Sequence, residues 1–262
     1  MRVRASLLLP LAAASAFAVV QTASGSPVTA PGASGTGIQP MMASVAAELV
    51  EARSVQQRTS WTPPAHKLAV VRGRVGLSER PGGRARLRVG SRTEFGSPRV
   101  LGVATRRGDW LGVVTAERPN NRLAWVRRGS RGLRLRRTRW SLHADLSART
   151  LVLRKAGRRV MRIVVAVGRP GSETPTGRFA VTDKLSGPRF GPYYGCCILA
   201  LTGHQPNTPP GWTGGNRLAI HGTNSPASIG AAASAGCLRA ADAPLRVLMR
   251  QVPLGTPVFI RG

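Results

Sequence analysis

From about residue 65 onward the chain is a series of short apolar runs cut by turn residues, and that rhythm limits the fold more than any other feature. The first runs occupy residues 68–71, 85–89, 100–103, 110–114 and 123–126. Turn signals stand between them at Pro81-Gly82-Gly83, Gly96-Ser97-Pro98, Arg107-Gly108-Asp109 and Pro119-Asn120-Asn121. Several short strands at this spacing predict a small β-barrel or sandwich over residues 65–137. Trp110 and Trp125 within it have two readings, as core aromatics or as a ligand-binding surface.

A second β-rich region follows over residues 140–262. Residues 151–154 and 160–167 flank Lys155-Ala156-Gly157-Arg158 and read as a hairpin. Its second strand is almost continuously apolar and is therefore expected at the centre of a sheet. Further strands are expected at 179–181, 197–201, 217–220 and 257–260. An Ala-rich stretch at 228–233 predicts a short turn of helix. A better helix covers 243–252, with Asp242 as its cap, Leu245, Leu248 and Met249 on its buried side, and Pro253 after its end. The predicted class is mainly β with one or two short helices.

The N-terminus reads as an export signal over residues 1–25: basic Met1-Arg2-Val3-Arg4, an apolar run at 7–20, then small residues. That run is shorter than the ~20 residues a spanning helix needs, so removal is expected, leaving a mature chain with no transmembrane segment. Residues 26–64 have linker composition, with room for a short helix at 41–57 ended by Trp61-Thr62-Pro63-Pro64. Lys and Arg number 39 against 10 Asp and Glu, a formal net charge of +29. Such a charge attracts polyanions, and nucleic acid is the usual partner. The export signal argues against nucleic acid. It leaves acidic cell-wall polymers, peptide carboxylates and lipid head groups, in an extracytoplasmic or wall-associated location.

The chemistry concentrates in His221-Gly222 and in Ser234-Ala235-Gly236-Cys237-Leu238-Arg239, whose cysteine stands sixteen positions after the histidine. A free thiol is only a few per cent ionised at neutral pH, so a cysteine nucleophile needs a base or cation beside it. His221 can serve as that base, Gly236 admits close backbone approach, and the Cys237 amide can face a developing oxyanion. Cys196 and Cys197 remain, either as a vicinal disulfide or as two small buried apolar residues. The four histidines have no ligand spacing with acids or cysteines, and no glycine-rich phosphate loop occurs, so no metal or cofactor is expected.

This arrangement resembles the signature of the L,D-transpeptidase, or YkuD, family of peptidoglycan-remodelling enzymes. Thr174-Pro175-Thr176-Gly177-Arg178-Phe179, similar to that family's upstream turn, extends the likeness to about residues 140–262. One departure stands out: the family usually has a second histidine before the Gly-Cys pair, where this chain has Ala235. The resemblance implies Cys237 as nucleophile, His221 as base, and the Gly222 carbonyl as the group that orients the imidazole. It assigns Ser234, Gly236 and Arg239 to the nucleophile loop and substrate contact. Tyr193 and Tyr194, in a turn able to cover the cleft, and His204 are the further substrate contacts. The implied reaction is acyl transfer between peptidoglycan stem peptides with release of D-alanine. Hydrolysis by the same residues would make an L,D-carboxypeptidase, and loss of function through Ala235 would leave a non-catalytic wall-binding protein. Residues 65–137 resemble a bacterial SH3-type domain, through Leu77-Ser78-Glu79-Arg80-Pro81-Gly82-Gly83 and Gly108-Asp109-Trp110-Leu111.

Overall fold

The computed structural model describes residues 65–262. The expected export signal (1–25) and linker (26–64) lie outside the described residues. Alternating apolar positions build a first set of strands: β1 (His66–Val71), β2 (Val75–Leu77), β3 (Leu87–Val89), β4 (Val100–Arg107), β5 (Trp110–Val114), β6 (Ala124–Arg127) and β7 (Leu133–Thr138). Five of them form an antiparallel sheet in the order β6-β5-β4-β1-β7, and β2 pairs with β3. Reciprocal backbone bonds between Ser78 and Trp125 tie the β2–β3 hairpin to β6. Between them lies a core that includes Ala69, Val71, Leu77, Leu101, Val113 and Val126. Trp125 is 7% exposed but lies outside that core cluster, with the Arg107 guanidinium 5.5 Å from its ring centre. β7 escapes a sequence reading because Arg134, Arg136 and Arg137 interrupt its only two leucines.

The second region contributes β8 (Trp140–Asp145), β9 (Thr150–Lys155), β10 (Arg158–Val164), β11 (Val167–Gly168), β12 (Gly177–Ser186), β13 (Cys197–His204), β14 (Arg217–His221), β15 (Ala232–Ser234), β16 (Leu238–Arg239) and β17 (Pro257–Arg261), with one helix, α1 (Asp242–Gln251). Eight strands run in the order β10-β9-β8-β17-β12-β13-β14-β16. The β9–β10 hairpin forms as expected, its turn made by Ala156 and Gly157 with φ of 52° and 79°. However, β10 is an edge strand and not a central one. Arg158, Arg159 and Arg162 punctuate it and Val160 and Val164 are about half exposed; Ile163 turns into the core and Met161 packs against it half-buried. The apolar run looked central because its buried end, Val165 to Val167, has already left the strand for the interior.

Two helix expectations also change. The stretch at 228–233 enters β15 after a short 3-10 turn at Pro226–Ser228. Asp242 is the first residue of α1 and Ala241 its cap. The Asp242 carboxylate instead accepts the Cys196 backbone N–H at 3.1 Å, where the positive end of the helix dipole favours it. Leu245 and Leu248 bury the helix against the sheet core.

Polar clasps join the two regions. Arg178 on β12 donates to the carbonyls of Ala104 (3.0 Å) and Val103 (2.8 Å), and its guanidinium lies 5.3 Å from the Phe259 ring centre. Asn120 makes a reciprocal pair with the His204 backbone, at 2.6 and 2.9 Å, and Asn121 donates to the Thr176 carbonyl. Arg217 bonds Glu94, and Thr93 bonds the fully buried Asp183. Hydrogen bonds from a charged donor are worth about 1.5–3 kcal/mol. Arg178→Ala is therefore expected to cost about 2–3 kcal/mol in a denaturant titration, whereas Arg178→Lys recovers only part of the loss because an ammonium cannot bridge two carbonyls in a fixed fork. An unchanged midpoint in Arg178→Ala would remove this residue from the clasp.

Candidate active site

Strand pairing brings the candidate residues together. His221 ends β14 and pairs, in parallel register, with Arg239 on β16, while Ile220 pairs with Leu238. Cys237 therefore arrives one residue before the paired segment, beside the last turns of β14. The imidazole is fully buried, and its Nδ1 lies 2.6 Å from the Gly222 carbonyl. A carbonyl can only accept, so Nδ1 carries the proton and Nε2 presents a lone pair. Nε2 has no hydrogen-bond partner among the described residues. Burial, with a smaller contribution from the Arg239 cation, lowers the His221 pKa to about 4, against the opposing effect of the Gly222 bond. The imidazole is neutral across the physiological range.

Cys237 is half-buried, and its thiol contacts the Arg217 carbonyl at 3.8 Å. Burial pushes the thiol pKa up to about 11, opposed by a backbone contact and by the Arg239 cation. The resting pair is thus thiol and neutral imidazole, not thiolate and imidazolium. Arg239 is 8% exposed; it bonds the Tyr193 hydroxyl and stacks 4.6 Å from that ring's centre. Among the described residues no carboxylate pairs with it, an expensive state for a buried cation.

The loop that carries Cys237 is braced from beneath. Ser234 is fully buried, donating from Oγ to the Cys237 carbonyl at 2.6 Å and accepting the Gly236 N–H at 3.0 Å. Gly236 has φ 115°, a region closed to other residues, and a Cβ there would stand 1.9 Å from Nε2 of Gln205. The space the glycine leaves is filled by this side chain. Gln205 is 5% exposed, and its amide nitrogen lies 3.0–3.2 Å from the carbonyls of Ser172, Glu173 and Ala235, its two hydrogens shared among the three. Nothing in the sequence motif marks it. Its neighbour His204, the last residue of β13, is the expected substrate contact. The His204 imidazole turns to the inter-region clasp, with Nε2 2.6 Å from the Ala116 carbonyl and Nδ1 3.1 Å from Asn216 Oδ1.

Aromatic rings close the other side. Tyr193 and Tyr194, in a 3-10 turn at Pro192–Tyr194, lie 5.6 and 5.0 Å from the His221 ring, and Trp212 packs 5.6 Å from Tyr193. Burial, then the neighbouring Cys237 and Tyr193, raises the Tyr194 pKa. Just after this turn Cys196 and Cys197 form a disulfide, which decides between the two sequence readings. The Cys197 carbonyl accepts the Gly222 N–H at 3.0 Å. A Cβ on Gly222 would meet Asp242 Oδ1 at 2.5 Å, so only glycine fits where these three segments cross.

Two expectations follow. A thiol with a pKa near 11 gains thiolate about tenfold per pH unit below that value, so the rate of Cys237 alkylation by iodoacetamide should climb steadily from about pH 6 to 9. A plateau below pH 8 would indicate a resting ion pair instead. In a double-mutant cycle read by denaturant unfolding, Gly236→Ala should cost at least ~1 kcal/mol less in a Gln205→Ala background than in the wild type. Additive effects would show that Gln205 does not fill the glycine's space.

Residues 139–260 match the family model described as the L,D-transpeptidase catalytic domain, YkuD. Over 121 residues the chain is 33% identical to YkuD of Bacillus subtilis (strain 168), which covers 46% of this chain and 65% of that protein. It is 35% identical to YqjB of the same organism over 105 residues, 37% of this chain and 56% of that one. Both relatives bear the L,D-transpeptidase name provisionally, and the match spans somewhat less than two thirds of their length. Among solved structures, an L,D-transpeptidase from Mycobacterium smegmatis aligns at 17% identity over 62% of this chain and 90% of that one, with a TM-score of 0.39. The family model and the sequence relatives support a YkuD-type L,D-transpeptidase catalytic domain within this chain.

Proposed function

We propose that the protein is a peptidoglycan L,D-transpeptidase that acts outside the cytoplasmic membrane through a Cys237 thioester. The observation that carries this reading is the buried His221 imidazole, its proton fixed on the Gly222 side and its Nε2 without a partner among the described residues, on a strand whose pairing with β16 lays the Cys237 segment alongside it. The similarity of residues 139–260 to the YkuD catalytic domain supplies the substrate class. Among the described residues no helix is long and apolar enough to cross a membrane.

In this mechanism the thiol leaves the Arg217 carbonyl and rotates toward His221. Nε2 takes its proton as sulfur attacks the amide carbonyl carbon of the third stem residue. The oxyanion meets the Cys237 N–H, which no described hydrogen bond occupies. Collapse expels D-alanine, whose amine takes the proton back from His221, and leaves the acyl-thioester. The side-chain amine of a second stem then attacks the thioester, gives its proton to Nε2 and releases Cys237 as a thiol. Arg239 offers the carboxylate of the D-alanine a planar, charge-assisted contact that the protein itself does not satisfy. Ser234 and Gln205 act by holding the loop, their polar atoms being engaged by its main chain.

The test is intact-mass spectrometry of the protein after exposure to a carbapenem, the inhibitor class the family resemblance implies, followed by assay of D-alanine and cross-linked dimer from a tetrapeptide-stem substrate. A covalent adduct is expected in the wild type, absent in Cys237→Ala and slowed at least ~100-fold in His221→Ala, since general-base catalysis typically contributes 10²–10⁴. Release of D-alanine without dimer would make the protein an L,D-carboxypeptidase. No adduct at any pH from 6 to 9 would leave a wall-binding protein. Arg239→Lys should raise KM for the stem substrate roughly tenfold or more while leaving alkylation of Cys237 by iodoacetamide nearly unchanged.

A further inference from the structure

The first sheet carries a cationic groove that the thiol chemistry does not use. Its register shows how it arises. On the face shared by β1 and β7, Val71 pairs with Leu133 and Ala69 with Leu135, and the next pair outward is Lys67 with Arg137. A row that begins as core therefore ends in two cations directly opposite each other. Like charges in that position repel and lower stability. Arg106, opposite Leu111 across β4 and β5, and Arg128, just past β6, complete the rim together with Arg136. The hollow they enclose is about 230 Å³ and is floored by Leu111 and Leu135. All five cations are exposed, and none takes part in an ion pair among the described residues. The nearest acid by position, Asp109, lines a neighbouring hollow with Arg127 and Arg128 and is likewise unpaired.

We propose that this groove binds a linear phosphodiester polymer of the cell wall, holding the protein on an anionic strand independently of the thiol site. Four of the five cations are arginines, whose planar forks match phosphate oxygens two at a time. Phosphates bound between Lys67, Arg137 and their neighbours relieve the repulsion that the bare sheet carries. Other polyanions fit less well. A nucleic-acid duplex is far wider than a hollow of this size, and the groove lining has no aromatic ring on which single-stranded bases could stack. A lipid surface would call for an apolar face to insert, whereas Leu135, at 42% exposure, is the only exposed large apolar side chain here.

The test uses the full chain and a soluble poly(glycerol phosphate) as probe, with binding followed by titration calorimetry at 50 and 200 mM salt. The wild type should bind and weaken steeply with salt, because each phosphate contact releases counterions. Lys67→Glu/Arg137→Glu should bind at least tenfold more weakly with a shallower salt dependence, yet show unchanged Cys237 alkylation. Lys67→Glu alone should raise the thermal midpoint, since it turns a repelling cross-strand pair into an attracting one. Equal binding by wild type and the double variant would overturn the proposal, as would no binding by either. Tighter groove-dependent binding to phosphatidylglycerol vesicles or duplex DNA than to the polymer would overturn the assignment of the partner.

Discussion

Everything around the candidate site depends on one buried hydrogen bond, from His221 Nδ1 to the carbonyl of the next residue, Gly222. A buried imidazole is costly to charge, and this one is held neutral with its tautomer fixed by a main-chain acceptor. The bond demands that Gly222 approach its neighbours without a side chain. That approach is possible because the Cys197 carbonyl takes the Gly222 N–H and Asp242, at the start of α1, takes the Cys196 N–H. The vicinal disulfide lies between those two anchors. A helix terminus, a cystine turn and a strand end thus converge on one ring nitrogen, while Tyr193 and Tyr194 keep water from the ring they cover.

The first sheet contributes to this site through the backbone. Asn120 grips the His204 main chain from both sides, and the residue that follows, Gln205, holds the loop of Cys237 through the Ala235 carbonyl. On another strand Glu94 and Arg217 meet across the same junction, and the Arg217 carbonyl is the present partner of the Cys237 thiol. The two regions therefore share their support at the ends of β13 and β14, where the chemistry sits. Removing residues 65–137 would not simply free the second region; it would release the main chain on which Gln205 and Arg217 depend.

The motif residues were legible because their chemistry needs particular atoms at fixed spacing. Cys237, His221, Gly222, Ser234, Gly236 and Arg239 all fall within one cluster, together with Tyr193 and Tyr194. Support residues were not legible. Gln205 acts through a single amide on three carbonyls drawn from distant segments, a geometry that no local pattern encodes. His204 was expected as a substrate contact, but its imidazole is engaged by the Ala116 carbonyl and Asn216 in the clasp between the two regions. The same limit explains β10, where composition suggested burial but the neighbouring strand order, a long-range property, leaves it at the edge. The extent of helix α1 was legible to within a residue because a first-turn acid, a spaced apolar face and a terminal proline are all local signals; its cap was not, since Asp242 is the first helical residue and turns to the Cys196 N–H.

Ala235 is the position where this chain departs from the pattern it resembles, and its surroundings say what the loop asks of it. Its carbonyl is one of the three that Gln205 gathers, so its contribution to the loop runs through the main chain. No second imidazole stands there to share a proton. With burial lowering His221 to about 4 and raising Cys237 to about 11, proton transfer between them is disfavoured in the resting state. On the proposed reading, attack cannot wait for a preformed thiolate. Proton transfer to His221 has to accompany bond formation at the carbonyl, at the moment when the new oxyanion and its donors offset the charge on the imidazolium. Burial that looks unfavourable for a nucleophile would then keep the thiol protonated, and so less reactive toward solutes that cannot also fill the pocket.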